Sequence, residues 1–175
     1  TNYPTAELFI NGKSYGKQSK NNSSLKSRYR LMWMDAVYEP GEVKVVAYNK
    51  DGKAVAEKTV RTAGKPHHIE LVSNRNELTA DGKDLAYVTV KVVDKDSNLC
   101  PTDSRLIHFS VKGAGKFRAV ANGDPTNLEQ FHLPKMHAFH GMLTAIVQAG
   151  EIAGDLVLTA KASGVKTGTV HLQAK

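Results

Sequence analysis

Closely spaced carboxylates are the first residues in this chain that could do chemistry. Asp81 and Asp84 form one such pair, Asp94 and Asp96 another. Two carboxylates can divide acid and base work when their surroundings push their pKa values apart. Both pairs, however, lie in turn sequences, Ala80-Asp81-Gly82-Lys83 and Asp94-Lys95-Asp96-Ser97-Asn98. An Asp in a turn accepts hydrogen bonds from its own backbone two residues on, and that reading is preferred here. Asp94, Asp96 and Asn98 also alternate as oxygen ligands of a calcium ion do. The run lacks the glycine and the distal glutamate of an EF-hand loop.

Histidines are the next candidates. His132, His137 and His140 fall in one irregular segment, and His67 and His68 are adjacent. A metal needs neutral imidazoles converging from fixed directions with an ordered outer shell. No HExxH spacing is present, so ordinary loop histidines are expected. Cys100 is the single cysteine, which excludes an internal disulfide and a CxxC zinc site. Beside Pro101 and without an activating neighbour, it reads as a structural thiol. There is no GxSxG elbow, and Gly113-Ala114-Gly115 lacks the third glycine of a dinucleotide loop. No catalytic residue, metal or cofactor is expected.

Sugar contact remains. Such a site sets a flat ring beside amide or carboxylate hydrogen-bonding groups. Trp33 is the only tryptophan, with Tyr29 and Tyr38 near it in sequence; Asn122, Gly123 and Asp124 make a polar turn. Trp33, Tyr29, Tyr38, Asn122 and Asp124 are therefore the carbohydrate-contact candidates. The preferred reading, however, puts Trp33 in a core and makes residues 122–124 a structural turn.

Composition bounds these readings. Of 175 residues, 41% are hydrophobic and 23% charged, which argues against disorder. No apolar run approaches the roughly 18 residues that span a bilayer, so a transmembrane helix is excluded. The net charge is +7, from 24 Lys and Arg against 17 Asp and Glu. Residues 1–63 hold 11 basic and 6 acidic residues, and residues 64–175 hold 13 and 11, so most of the excess is in the first part. Lys13, Lys17, Lys20, Lys26, Arg28 and Arg30 follow one another without an acid between them, among serines and asparagines. That stretch reads as a solvated basic loop or hairpin tip. No recognition-helix or aromatic RNA-binding pattern accompanies it, so nucleic acid is not expected as a partner, nor is a membrane.

The elements that must position these residues are short strands. Thr5–Ile10 runs into Asn11-Gly12, the strongest two-residue hairpin signal. Tyr29–Met34 alternates as a strand does; Val43–Tyr48 and Ala54–Thr62 flank a turn at Asn49-Lys50-Asp51-Gly52. The boundary is Thr62-Ala-Gly-Lys-Pro66, where Gly64 and Pro66 disfavour a continuing strand. Beyond it, seven strands are expected: near 68–72, 86–93, 107–111, 116–121, 142–149, 155–162 and 166–173. No long segment has a 3.6-residue apolar period, so no substantial helix is expected.

Certain residues in this order resemble a known family. Thr1–Gly16, Trp33, Tyr38-Glu-Pro-Gly41 and Thr62–Pro66 resemble a small β-sandwich domain that follows the catalytic barrel in bacterial glycoside hydrolase family 2 enzymes. Leu78–Leu85, Val92–Asp94, Asn98–Pro101, Asn122–Pro125, Ala138–Gly141 and Leu158–Ala160 resemble the immunoglobulin-like domain after it. The resemblance implies an all-β chain of two tandem immunoglobulin-like β-sandwich domains, 1–63 and 64–175, with a linker at about 62–66. It implies a non-catalytic C-terminal part of a β-galactosidase-like enzyme whose catalytic glutamates lie upstream. The implied partners are the catalytic and sandwich domains of the same chain; an oligosaccharide and a homo-oligomer through the parent stay open. The implied compartment is the periplasm or the cell surface of a bacterium. An independent carbohydrate-binding module and an adhesion-type surface repeat are the alternatives. The abrupt start at Thr1, directly before a strand, is read as the edge of a longer protein.

Overall fold

The computed structural model describes all residues, 1–175. The chain is all-β apart from one helical turn, and it divides into two compact units, Thr1–Thr62 and Ala63–Lys175.

The first unit contains β1 (Thr5–Ile10), β2 (Lys13–Ser19), α1 (Leu25–Tyr29), β3 (Glu42–Tyr48) and β4 (Ala54–Arg61). Its strands form one antiparallel sheet in the order β2-β1-β3-β4. Asn11 and Gly12 both take positive φ, 48° and 81°, which lets the β1–β2 hairpin follow the strand twist. Strand β1 alternates strictly, burying Ala6, Leu8 and Ile10 on one face with Ala47 of β3 beside them.

Two expectations are corrected in this unit. Lys13–Ser19, read as part of a basic loop or hairpin tip, is the edge strand β2 of a hairpin; exposed lysines suit an edge because they discourage further pairing. Tyr29–Met34, read as a strand, has no ladder partner. Its first residue closes α1, where the Arg28 amide donates to the Ser24 carbonyl at 2.9 Å. Leu31 and Trp33 are half-buried while Met32 and Met34 are exposed, so the alternation is real. Alternation reports that one side of an extended segment is covered; it does not require ladder hydrogen bonds.

The second unit is a sandwich. Its strands are β5 (His68–Ser73), β6 (Glu77–Leu78), β7 (Leu85–Val93), β8 (Leu106–Gly113), β9 (Gly115–Ala121), β10 (Lys135–His137), β11 (Met142–Ala149), β12 (Gly154–Lys161) and β13 (Gly168–Ala174). One sheet runs β10-β8-β12-β13-β6 and the other β5-β7-β11-β9. All pairs are antiparallel except β13 with β6. Inward positions fill the core: Val88, Val90 and Val92; Ile107; Ala145 and Val147; Leu156 and Leu158. Each is fully buried, as period-two patterning between two sheets requires. Phe109 and Phe117 stack at 5.8 Å between centroids. The two additional strands, β6 and β10, have two and three residues, too few for a periodic signal.

Candidate functional site

The first unit places three of the five sugar-contact candidates on the connection between β2 and β3. Trp33 is half-buried, and its Nε1 donates to the Gly16 carbonyl on β2 at 2.9 Å. Tyr29 and Tyr38 are exposed. The Arg28 guanidinium lies 5.9 Å from the Tyr29 ring centre, and the Tyr38 hydroxyl shares a hydrogen bond with Thr62 Oγ1 at 3.1 Å.

Asn122 and Asp124 belong to the second unit. Asn122 donates from Nδ2 to the His137 carbonyl at 2.9 Å and accepts the Asp124 amide at 3.1 Å. Asp124 Oδ1 accepts both the amide and the hydroxyl of Thr126. These bonds hold the Asp124 carboxyl below its usual range, the amide bond contributing most. Both residues thus build the loop from β9 to β10.

Three of the four paired carboxylates, Asp81, Asp84 and Asp94, brace turns; Asp96 contributes only its backbone amide. Asp81 accepts the amides of Lys83 and Asp84, which lower its pKa. Asp84 accepts the amides of Thr79 and Leu85 and pairs with Arg75 at 2.7 Å. Asp94 is 2% exposed and gathers four donors: the amides of Gly64, Asp96 and Asn98, and the Asn98 side-chain amide. The Gly64 bond is the strongest influence; burial opposes it, and the carboxyl sits at about 2.

Histidines and cysteine are equally committed. His137 pairs through Nδ1 with Glu129 at 3.0 Å, and His140 Nδ1 lies 3.2 Å from the Pro101 carbonyl. His67 and His68 meet Nδ1 to Nδ1 at 3.0 Å. No group of three or more His, Cys, Asp or Glu residues is placed to hold a metal ion. Cys100 is buried, and burial pushes its thiol above the ordinary value. Gly113 turns the chain at φ 93°, where a side chain would collide with the Asp155 carbonyl. An open cleft of about 500 Å³ lies at this end of the sandwich, walled largely by glycine backbone with Lys116 and Glu151.

Two features were missed in the sequence. One is a set of large apolar side chains left in solvent: Leu25, Met34 and Val37 in the first unit, Leu128 and Phe131 in the second. The other is the ion pair of Arg105 with Asp103, in which Nε reaches both carboxylate oxygens at 2.8 and 2.9 Å. The first had a signal, the apolar run Leu31-Met32-Trp33-Met34; the second, two residues within one turn, had none.

Residues 69–171 match the family profile described as glycoside hydrolase family 2 C-terminal domain 5. The chain belongs to this glycoside hydrolase family 2 C-terminal family. Residues 1–56 match a further profile, described as a domain of unknown function (DUF4982). The β-galactosidase BoGH2A of Bacteroides ovatus is 42% identical over 97% of this chain, yet only 19% of that protein is matched. A β-galactosidase of Thermoanaerobacter pseudethanolicus is 30% identical over 92% of the chain and 21% of its own length. Among solved structures, a glycosyl hydrolase family 2 member from Bacteroides cellulosilyticus is 32% identical with a TM-score of 0.86, covering 99% of this chain and 22% of that one. A β-glycosidase from Bacteroides vulgatus is 26% identical with a TM-score of 0.90, covering 99% and 21%. The chain spans about one fifth of the length of the curated relatives it matches. In those relatives the matched stretch is a C-terminal part of a longer chain, and the all-β fold of this family 2 domain region is not a catalytic barrel. No helix in it is long and apolar enough to cross a membrane.

Proposed function

We propose that these 175 residues form a non-catalytic scaffold of a β-galactosidase, packing against its catalytic barrel and shaping its substrate cleft. The observation that carries this reading is the lopsided match: 97% of this chain against 19% of a β-galactosidase. The site chemistry agrees with it. A retaining glycosidase needs two carboxyl groups about 5–5.5 Å apart and free to act. Here Asp81, Asp84 and Asp94 accept backbone amides of their own turns instead. The family resemblance carried by the sequence motifs puts the proposed compartment at the periplasm or the cell surface.

The test is hydrolysis of an aryl β-D-galactoside by three proteins: the isolated chain, the full parent, and the parent without these residues. The expected result is no turnover by the chain alone and full turnover by the parent. The shortened parent is expected to lose activity on heating at a lower temperature. Turnover by the isolated chain, or a shortened parent indistinguishable from the full one, overturns the proposal.

A second reading, an oligosaccharide-binding module, is favoured by one observation: Tyr29 and Tyr38 are exposed on the connection that holds Trp33. Calorimetric titration of the chain with galactose, lactose and a glycan panel tests it. Saturable binding that Trp33→Ala abolishes without unfolding establishes it; flat titrations across the panel reject it.

A further inference from the structure

The connection from Leu25 to Tyr38 exposes six large apolar side chains within fourteen residues: Leu25, Tyr29, Met32, Met34, Val37 and Tyr38. Met34 is 86% exposed and Leu25 78%. Single exposed apolar residues are normal on any protein, but a run of this density is a surface built for contact. The middle of the run is apolar on both sides. Leu31 and Trp33 turn one way and are half-buried, and Trp33 is tied to Gly16; Met32 and Met34 turn the other way into solvent. A segment apolar on both sides belongs between two layers, and here only one side is covered.

The charges around it narrow the occupant. Lys26, Arg28 and Arg30 accompany the apolar residues, with Asp35 as the one acid between Leu25 and Tyr38. A second copy meeting this face about a two-fold axis would set those cations against their own equivalents, an arrangement that costs affinity. The larger chain supplies another occupant: the relatives are matched over only 19–22% of their length, so about four fifths of such a protein lies outside these residues.

We propose that residues 25–38 are the docking surface by which this region seats on the remainder of its own polypeptide, onto an apolar patch rimmed by carboxylates. The proposal rests on the accessory reading above and names the surface that reading needs. Met32 and Met34 fill the contact, and Lys26, Arg28 and Arg30 ring it.

The methionines report on this directly. The full-length parent is treated with dilute hydrogen peroxide, and oxidation of each methionine is followed by peptide mass spectrometry. Met136, fully buried, serves as the unreactive reference. Oxidation follows exposure, so Met34 is expected to react ~10-fold or more slowly in the parent than in the 175-residue chain. Equal rates in the two proteins overturn the docking surface, as does protection in the parent that disappears on dilution, which marks a second copy. Hydrogen exchange on the same two proteins separates the failures. Freely reacting Met32 and Met34, with some other segment of 1–175 protected in the parent, defeat this surface alone. No protected segment anywhere defeats the accessory reading as well. Met34→Glu gives an independent readout: it lowers the melting temperature of the parent and leaves that of the isolated chain unchanged. Equal shifts in both count against the proposal.

Discussion

The carboxylate of Asp94 accepts the amide hydrogen of Gly64 at 2.7 Å. Gly64 lies in the Thr62–Pro66 segment, and Asp94 follows the last residue of β7. One buried anion therefore clamps the start of the second unit to a central strand, while also closing the turn to Asn98. Its four accepted hydrogen bonds are strongest while it is ionised.

The pH dependence follows in sign. The folded pKa is about 2, below the ordinary value of about 3.9 for Asp. A depressed carboxylate adds stability that is complete above the unfolded value and is lost as the pH falls through the folded one. Asp94→Asn is expected to lower the melting temperature by several degrees at pH 7. The gap to the unaltered chain should shrink between about pH 4 and pH 2. Thermal melts of both proteins across that range check it; a constant gap refutes it.

Arg105 gives a second prediction. Asp103 is partly buried, which raises its pKa, but the hydrogen bonds and charge of Arg105 outweigh burial and bring it below the usual range. Arg105 also donates through Nη1 to the Ser163 carbonyl at 2.7 Å, joining two loops. Arg105→Ala leaves Asp103 unpaired and is expected to cost about 3 kcal/mol in urea unfolding. Arg105→Lys should recover less than half of that, because an ammonium group cannot span both oxygens and the carbonyl.

The core supplies a third. Leu158 of β12 is fully buried between the sheets. Leu158→Ala is expected to destabilise the second unit by about 2–5 kcal/mol, the range for a Leu cavity that only partly collapses. Calorimetry of the chain measures it.

Gly168 supplies a fourth, by overfilling. A methyl group there would run into the carbonyl of Ile69 on β5. Gly168→Ala is expected to cost about 1–3 kcal/mol, the usual penalty for forcing extra volume into a packed site. An unchanged melting temperature would mean that β13 can shift away from β5 freely.

Much of the fold was readable where one physical signal acted alone. Val88, Val90 and Val92 alternate with polar neighbours, and that pattern survives into a strand buried on one face. Asn11-Gly12 is a hairpin because few other residue pairs take positive φ twice in succession. Signals that compete were misread. Leu31-Met32-Trp33-Met34 carries the alternation of a strand but not its pairing, since burial and ladder bonding are separate conditions. Lys13–Ser19 reads as a loop by composition, and only the hairpin register to β1 makes it a strand. At the candidate sites, the turn role of Asp81 and Asp94 was legible because Asx turns are local. The bond from Asp94 to Gly64 spans thirty residues, and no spacing rule announces it.

Strand β13 lies inside its sheet, with β12 on one side and β6 on the other, and its Leu172 and Ala174 are buried. On the ribosome this has a consequence for timing. Strands β6 and β12 must wait, with their apolar faces partly uncovered, until residues 168–174 have been synthesised. The first unit, whose hairpins join neighbours in sequence, is free to close while the second is still being made. Nascent chains halted just before Gly168 should therefore present a folded first unit and a protease-sensitive second one.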